Sequence, residues 1–165
     1  MKIRILFVCH GNICRSPMAE FVMKKMVKEL PADSPLRGVD FEIASAATST
    51  EEIGNPVYPP ACRMLARHGI DCGGKTARQV TARDCTYYDY IVLMDRNNLR
   101  NIQRFLPRDS GQVSLLMEWL GESRDVADPW YTGDFQATWD DVNAGCRAML
   151  SKLSVMCGEQ GKNAL

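Results

Sequence analysis

The order of apolar and polar residues predicts an α/β fold in which helices cover both faces of a parallel sheet. Two observations carry this. A short apolar, β-branched run, Ile3 to Val8, gives way to a polar loop and then to Met18, Phe21, Val22, Met26 and Leu30 at helical spacing. A second clear apolar run, Tyr90 to Met94, is likewise followed by a helix-spaced set, Leu99, Ile102, Phe105 and Leu106. Strands that alternate with helices in this way need crossover connections, which are right-handed and place the strands parallel.

Each element has its own signal. Ile3 to Val8 is apolar apart from Arg4, as suits a strand buried on both faces. Ser16 and Pro17 suit the N-cap and first position of the next helix, whose other face carries Lys24, Lys25 and Lys28. Phe41 to Ala46 is a weaker strand, followed by a loop rich in Gly54, Pro56, Pro59 and Pro60. Ala61 to His68 reads as a helix stopped by Gly69. Asp95 can cap the helix after Tyr90 to Met94, and Gln112 to Leu116 is the last strand candidate. A polar loop from Gly121 to Gly133 precedes a long helix capped by Asp134, with Phe135, Trp139, Val142, Cys146, Met149, Leu153 and Met156 along one stripe. With no repeat or linker in view, residues 1–165 form one expected domain, of a size that buries a substantial core.

Composition narrows the partners. Twenty basic residues balance twenty acidic ones, so no overall field draws the chain to nucleic acid or an anionic membrane. No stretch approaches the roughly 20 apolar residues of a membrane span, and Met1 to Val8 lacks the features of a signal peptide. Seven irregularly spaced cysteines suit neither a secreted disulfide framework nor paired zinc knuckles, so a cytoplasmic protein is expected. A monomer is the working expectation.

Two segments place an arginine six residues after a cysteine: Cys9 to Arg15 and Cys72 to Arg78. The second also overlaps Gly69 to Thr76, which satisfies the G-x-x-x-x-G-K-T spelling of a nucleotide-binding loop. That mechanism needs a strand entering the loop and a helix leaving it, so that backbone N–H groups and the helix dipole converge on phosphate. Here a helix enters, and Ala77 to Arg83 has little apolar periodicity. The first segment meets the requirement. A strand delivers Cys9, Gly11 allows a tight turn, and Asn12 tolerates a left-handed conformation. The N–H groups of His10, Gly11, Asn12, Ile13, Cys14 and Arg15 can then line an anion nest, and the Arg15 guanidinium offers a planar fork to two phosphate oxygens. Such a field favours a thiolate at Cys9 and so a nucleophile. No metal-ligand pattern accompanies it, and no cofactor is expected.

The run Val8-Cys9-His10-Gly11-Asn12-Ile13-Cys14-Arg15-Ser16-Pro17-Met18-Ala19-Glu20 closely resembles the signature of the low-molecular-weight protein tyrosine phosphatases. Ser45-Ala46-Ala47-Thr48, His68-Gly69-Ile70, Asp89 to Asp95 and Asp128-Pro129-Trp130-Tyr131 look like further blocks of that family in the same order. The resemblance implies a single three-layer domain with a four-stranded parallel sheet. It implies that Cys9 attacks phosphorus without a metal, that Arg15 and the loop amides hold the phosphoryl oxygens, and that Asp128 is general acid and then general base. It also assigns Ser16 to a hydrogen bond with the Cys9 sulfur, Asn12, Ser45 and His68 to the support of the loop, and phosphotyrosine proteins as substrates. Cys14 is at the position where the family can form a reversible disulfide with the nucleophile.

Glu51 stands where many relatives have an aromatic, and Tyr58-Pro59-Pro60 replaces a usual Asp-x-Arg, so substrate preference is open. Glu51 makes an acidic rim, with Tyr58, Trp130 and Tyr131 as candidate walls for an aromatic group. Three rivals are weighed. An arsenate reductase of the same fold would need relay cysteines, for which Cys72 and Cys85 can be considered. A phosphoarginine phosphatase usually carries threonine at the position of Ile13. A noncatalytic phosphoprotein-binding module leaves Cys9 and Asp128 unexplained.

Overall fold

The computed structural model describes residues 1–164. Four parallel strands form one sheet in the order β2-β1-β3-β4: β1 is Lys2–Cys9, β2 Asp40–Ala47, β3 Tyr90–Leu93 and β4 Gln112–Leu115. The central β1 is paired on both sides, with Phe7 facing Ser45 across one ladder and Val92 across the other. Its side chains alternate between two cores, as the pleat requires. Ile5 and Phe7 join Met18, Val22, Leu65, Val142 and Met149 on one face. Leu6 and Val8 join Val80, Cys85, Ile91 and Ile102 on the other.

The first face is covered by α1 (Arg15–Lys28), α2 (Pro59–Arg67) and the long α6 (Phe135–Asn163). The second is covered by α3 (Ala82–Tyr87) and α4 (Arg96–Ile102). The expected three-layer, four-stranded arrangement is therefore present. Gly69 adopts φ 72° just beyond α2, the left-handed stop its position predicts. Asp95 and Asp134 both cap helices as expected, accepting from Asn98 N and Ala137 N. Gly145 has a packing role, since a Cβ there would meet Leu116 Cγ at 2.5 Å where α6 crosses the sheet edge.

Three expectations are corrected. The segment after Val80, which has little apolar periodicity, nevertheless forms α3, fixed by a reciprocal capping box between Thr81 and Asp84 rather than by a stripe. Pro129–Thr132 forms a single helical turn, α5, inside the loop, with Asp128 as its cap. The third concerns Ser16. Cys14 rather than Ser16 stands at the start of α1, because the Ser16 hydroxyl is engaged inside the molecule and is not free to cap.

Candidate active site

The parallel strands deliver their carboxyl ends to one edge, where ligands of such sheets sit. β1 ends there with Cys9, and α1 starts six residues later with Arg15. Between them the chain folds back on itself through Asn12, which has φ 60° and is the one non-glycine described with positive φ. Gly11 has no positive φ, and a Cβ there would sit tightly, 3.3 Å from Glu52 Cγ. The result is a loop wrapped around one sulfur. Asn12 N–H donates to Cys9 Sγ at 3.3 Å, and Ser16 Oγ lies 3.0 Å from the same sulfur.

Behind the loop runs a buried polar chain. Both amide hydrogens of Asn12 are used, one on Ser16 Oγ at 2.8 Å and one on Ser45 Oγ at 2.9 Å. The Ser45 hydroxyl donates in turn to Glu20 Oε1 at 2.6 Å. Glu20 also accepts from Lys24 at 2.8 Å and pairs with Lys75 at 3.1 Å, and Lys75 donates to the Ser45 carbonyl. Burial works to raise the Glu20 pKa, but the hydrogen bonds from Lys24 and Ser45 and the charge of Lys75 outweigh it and hold the carboxyl below its usual range. Because a carboxylate only accepts, the direction of every donor in this chain is set from the Glu20 end. Ser45 must donate to Glu20 and accept from Asn12. Ser16 must accept from Asn12, which leaves its own hydrogen for the Cys9 sulfur once that sulfur is ionised.

Arg15 is 2 % exposed, and its guanidinium is held from three places. Nη1 donates to Asp95 Oδ2 at 2.7 Å and to the Val126 carbonyl at 2.9 Å, and Nη2 reaches Asp128 Oδ2 at 3.3 Å. Burial alone lowers the pKa of such a cation, but the neighbouring Cys9, Asp128 and Asp95 raise it overall, so Arg15 stays charged. Asp128 is half-buried at the mouth of the pocket, its second oxygen accepting from Trp130 N at 3.0 Å. The floor of the pocket is Cys9, Ile13, Cys14 and Arg15. His10, Glu51, Glu52, Trp130 and Tyr131 also line it. Glu51 meets His10 Nε2 at 3.1 Å. Cys14 sits under the loop, its thiol pushed up to about 12 by burial and by the charges of Cys9 and Asp128, against the opposing pull of Arg15.

Of the predicted residues, Cys9, His10, Gly11, Asn12, Ile13, Cys14, Arg15, Ser16, Ser45, Glu51, Asp128, Trp130 and Tyr131 thus meet at one edge. His68 does not. It is the C-cap of α2, its ring stacks on Trp139 at 3.9 Å and its carbonyl accepts from Lys25, so it has no part in supporting the loop. Lys75 instead holds the supporting place expected of His68, against Ser45 and Glu20. Tyr58 backs Trp130 at a ring distance of 4.9 Å and packs on Phe135 instead of lining the pocket. Of the relay candidates, Cys85 is buried among the residues of the opposite sheet face and Cys72 is bonded to Cys62, a pairing the irregular cysteine spacing did not lead one to expect. Glu20, Lys75, Asp95 and Glu52 were not anticipated as site residues. Glu20 had one usable signal, a lone acid on the buried side of a lysine-faced helix with Lys24 four residues on. No group of side chains suited to a metal ion occurs among the described residues.

Residues 4–157 match the model of the low molecular weight phosphotyrosine protein phosphatase family. The chain belongs to that family. It is 35% identical over 154 residues to the low molecular weight protein-tyrosine-phosphatase YfkJ of Bacillus subtilis, covering 92% of this chain and 96% of the relative. It is 36% identical over 144 residues to the Staphylococcus aureus enzyme PtpA, covering 86% and 88%. The crystal structure of YfkJ superposes with a TM-score of 0.81 at 34% identity over 93% of this chain and 95% of that one. That of the Streptococcus pyogenes low molecular weight protein tyrosine phosphatase superposes with a TM-score of 0.74 at 39% identity over 92% and 93%.

Proposed function

We propose that this edge hydrolyses phosphotyrosine in proteins, and small aryl phosphates, through a phosphocysteine intermediate. The observation that carries the reading is the convergence of Asn12 N–H and the Ser16 hydroxyl on a buried cysteine sulfur beside a buried arginine. These groups surround the sulfur that, as the nucleophile, attacks phosphorus. The loop N–H groups and Arg15 hold the three equatorial oxygens as Cys9 displaces the phenolate in line. Arg15 is already oriented for this by Asp95 and the Val126 carbonyl, so little reorganisation is needed when substrate arrives.

Asp128 lines the same pocket as Cys9 and serves as the general acid for the leaving oxygen. Held 3.3 Å from Arg15 Nη2, the Asp128 carboxyl is the group that gives a proton to the departing phenolate. The same group then takes a proton from the water that attacks the phosphocysteine. Trp130 and Tyr131 are 53% and 83% exposed and form an apolar wall against which a phenyl ring can lie. The chain works in the cytoplasm on phosphoproteins, and Cys14 guards the nucleophile by forming a reversible disulfide with an oxidised Cys9.

Turnover of an aryl phosphate in the presence of a chelator tests the reading. Cys9→Ser abolishes it, and Asp128→Ala slows it by about 10²- to 10³-fold. The Asp128→Ala defect shrinks with strongly electron-withdrawing phenols, which leave without a proton. Undiminished hydrolysis by Cys9→Ser sinks the mechanism. Phosphoserine, phosphoarginine and arsenate turned over in parallel separate the tyrosine reading from its rivals. After peroxide, a thiol-reversible peptide bridge between Cys9 and Cys14 checks the guard.

A further inference from the structure

Cys62 and Cys72 lie outside the pocket, and neither takes part in the chemistry above. They are ten residues apart in sequence and 6.3 Å apart between Cα atoms, within the span a disulfide bridges, and their sulfurs are joined. Cys62 is on α2 and half-buried, while Cys72 is buried in the stretch that leads from Gly69 back to the catalytic loop. Both of the segments they join hold that loop from behind.

The α2 side is fixed to the loop at its start. Tyr58 N donates to the Ile13 carbonyl at 2.8 Å, and Cys62 N donates to the Tyr58 carbonyl one turn later at 3.1 Å. From the other side, the chain after Cys72 supplies Lys75 to Glu20 and Ser45, packs Ala77 against Ile13 and Cys14, and donates Arg78 N–H to Asn12 Oδ1 at 3.3 Å. Ala77 also bonds through its carbonyl to Gly54 N at 2.8 Å, at the end of the turn that carries Glu51 and Glu52. A covalent link between the two segments therefore closes a ring around the support of Asn12, the residue that orders the hydroxyl next to the nucleophile.

We propose that Cys62–Cys72 is a second redox site, a disulfide clamp exchangeable with small thiols, whose state sets how firmly the catalytic loop is held. The more exposed Cys62 is the point of entry. As a thiolate it attacks one sulfur of a small-molecule disulfide and expels one thiolate. Cys72 then attacks the mixed disulfide at Cys62 and expels the second. The two protein thiols lose two electrons and two protons, and the small disulfide becomes two thiols. An excess of small thiol runs the sequence backwards.

The pairing is independent of the phosphatase reading, whereas its effect on turnover rests on it. The test uses Cys9→Ser protein, in which the nucleophile cannot itself be oxidised, equilibrated with mixtures of reduced and oxidised glutathione and then alkylated and digested. A peptide bridging Cys62 and Cys72 forms in oxidising mixtures and disappears in reducing ones. Oxidation raises the melting temperature by roughly 5–10 °C. Reduction speeds amide exchange at Gly54, Ala77 and Arg78 by about tenfold and leaves Val92 in the sheet unchanged. In the chain with Cys9 intact, Cys62→Ser/Cys72→Ser lowers kcat about threefold with KM little changed. Should the serine pair fold poorly, the reduced and oxidised forms of the Cys9→Ser protein still decide the matter. The proposal is overturned by a bridge that never forms, by one that persists in the most reducing mixture, or by equal amide exchange in the two states. If aryl phosphatase activity is absent but the bridge and the exchange change appear, the phosphatase reading fails and the clamp stands.

Discussion

Cys9 to Arg15 and Cys72 to Arg78 have the same spacing of cysteine and arginine, and each has glycine and a small polar residue between them. In the first, a strand stops at the cysteine and a helix starts at the arginine, the Asn12 amide turns onto the sulfur and the guanidinium is sealed inside. In the second, α2 precedes the cysteine across the Gly69 stop, and extended chain follows the arginine as far as the Thr81 cap. Arg78 points away to Asp84, at 2.8 and 3.3 Å, and Cys72 is spent on Cys62. Yet the second segment is not idle. Its backbone and Lys75 support Asn12 and Ser45, so one copy of the spacing is the site and the other is part of its frame. The lesson is that the elements entering and leaving a loop, rather than its spelling, decide whether its amides can form a nest.

The sharpest test of this contrast is Arg15→Ala. It removes the phosphate fork and leaves Asp95 and Asp128 facing each other without a cation, so aryl phosphate turnover falls by about 10³-fold or more, measured as kcat/KM. Asn12→Ala comes next. It breaks the donor chain between Glu20 and Ser16 and removes a side chain suited to a positive φ, and a loss of roughly tenfold in kcat is expected in steady-state assays.

Glu20→Gln acts through charge. The folded carboxyl lies below its ordinary value of 4.5, so its ion pairs contribute stability that is complete above that pH and is lost as pH falls through the folded value. The variant melts several degrees below the parent at pH 7, and the gap narrows progressively as the pH drops below about 4.5 in thermal scans. The smallest effect belongs to Arg78→Ala. Its guanidinium pair with Asp84 is 40% exposed on the arginine side, worth at most about 1 kcal/mol, and its contact with Asn12 is made by backbone. Turnover should change by less than about twofold. A loss there comparable to that of Arg15→Ala would erase the distinction between the two segments.

How much of this was legible in the sequence follows the range of the forces involved. β1, β3 and α6 are set by local periodicity, and the Gly69 and Asp134 punctuation by backbone chemistry of one or two residues, so they could be read directly. α3 could not, because a reciprocal Thr81–Asp84 cap stabilises it without an apolar stripe. The loop from Cys9 to Arg15 was legible because its nest is local. Its support was not, since Lys75 reaches Glu20 across 55 positions and carries no local sign of doing so. His68 was misassigned for the same reason: a histidine at a helix end looks the same in sequence whether it reaches the loop or stacks on Trp139. The Cys62–Cys72 pairing also depends on how α2 and the following stretch fold against each other, which cysteine counting does not contain.

The three anchors of Arg15 have a consequence for how the protein comes into being. Synthesis delivers this guanidinium 80 residues before Asp95, 111 before Val126 and 113 before Asp128. Until then the cation has no counter-charge with which to enter the interior, and the thiol beside it has no finished nest. The setting of the loop is therefore complete only once the stretch up to Asp128 has been made. The fold thus closes around this sulfur only when strands and loops far apart in sequence have met.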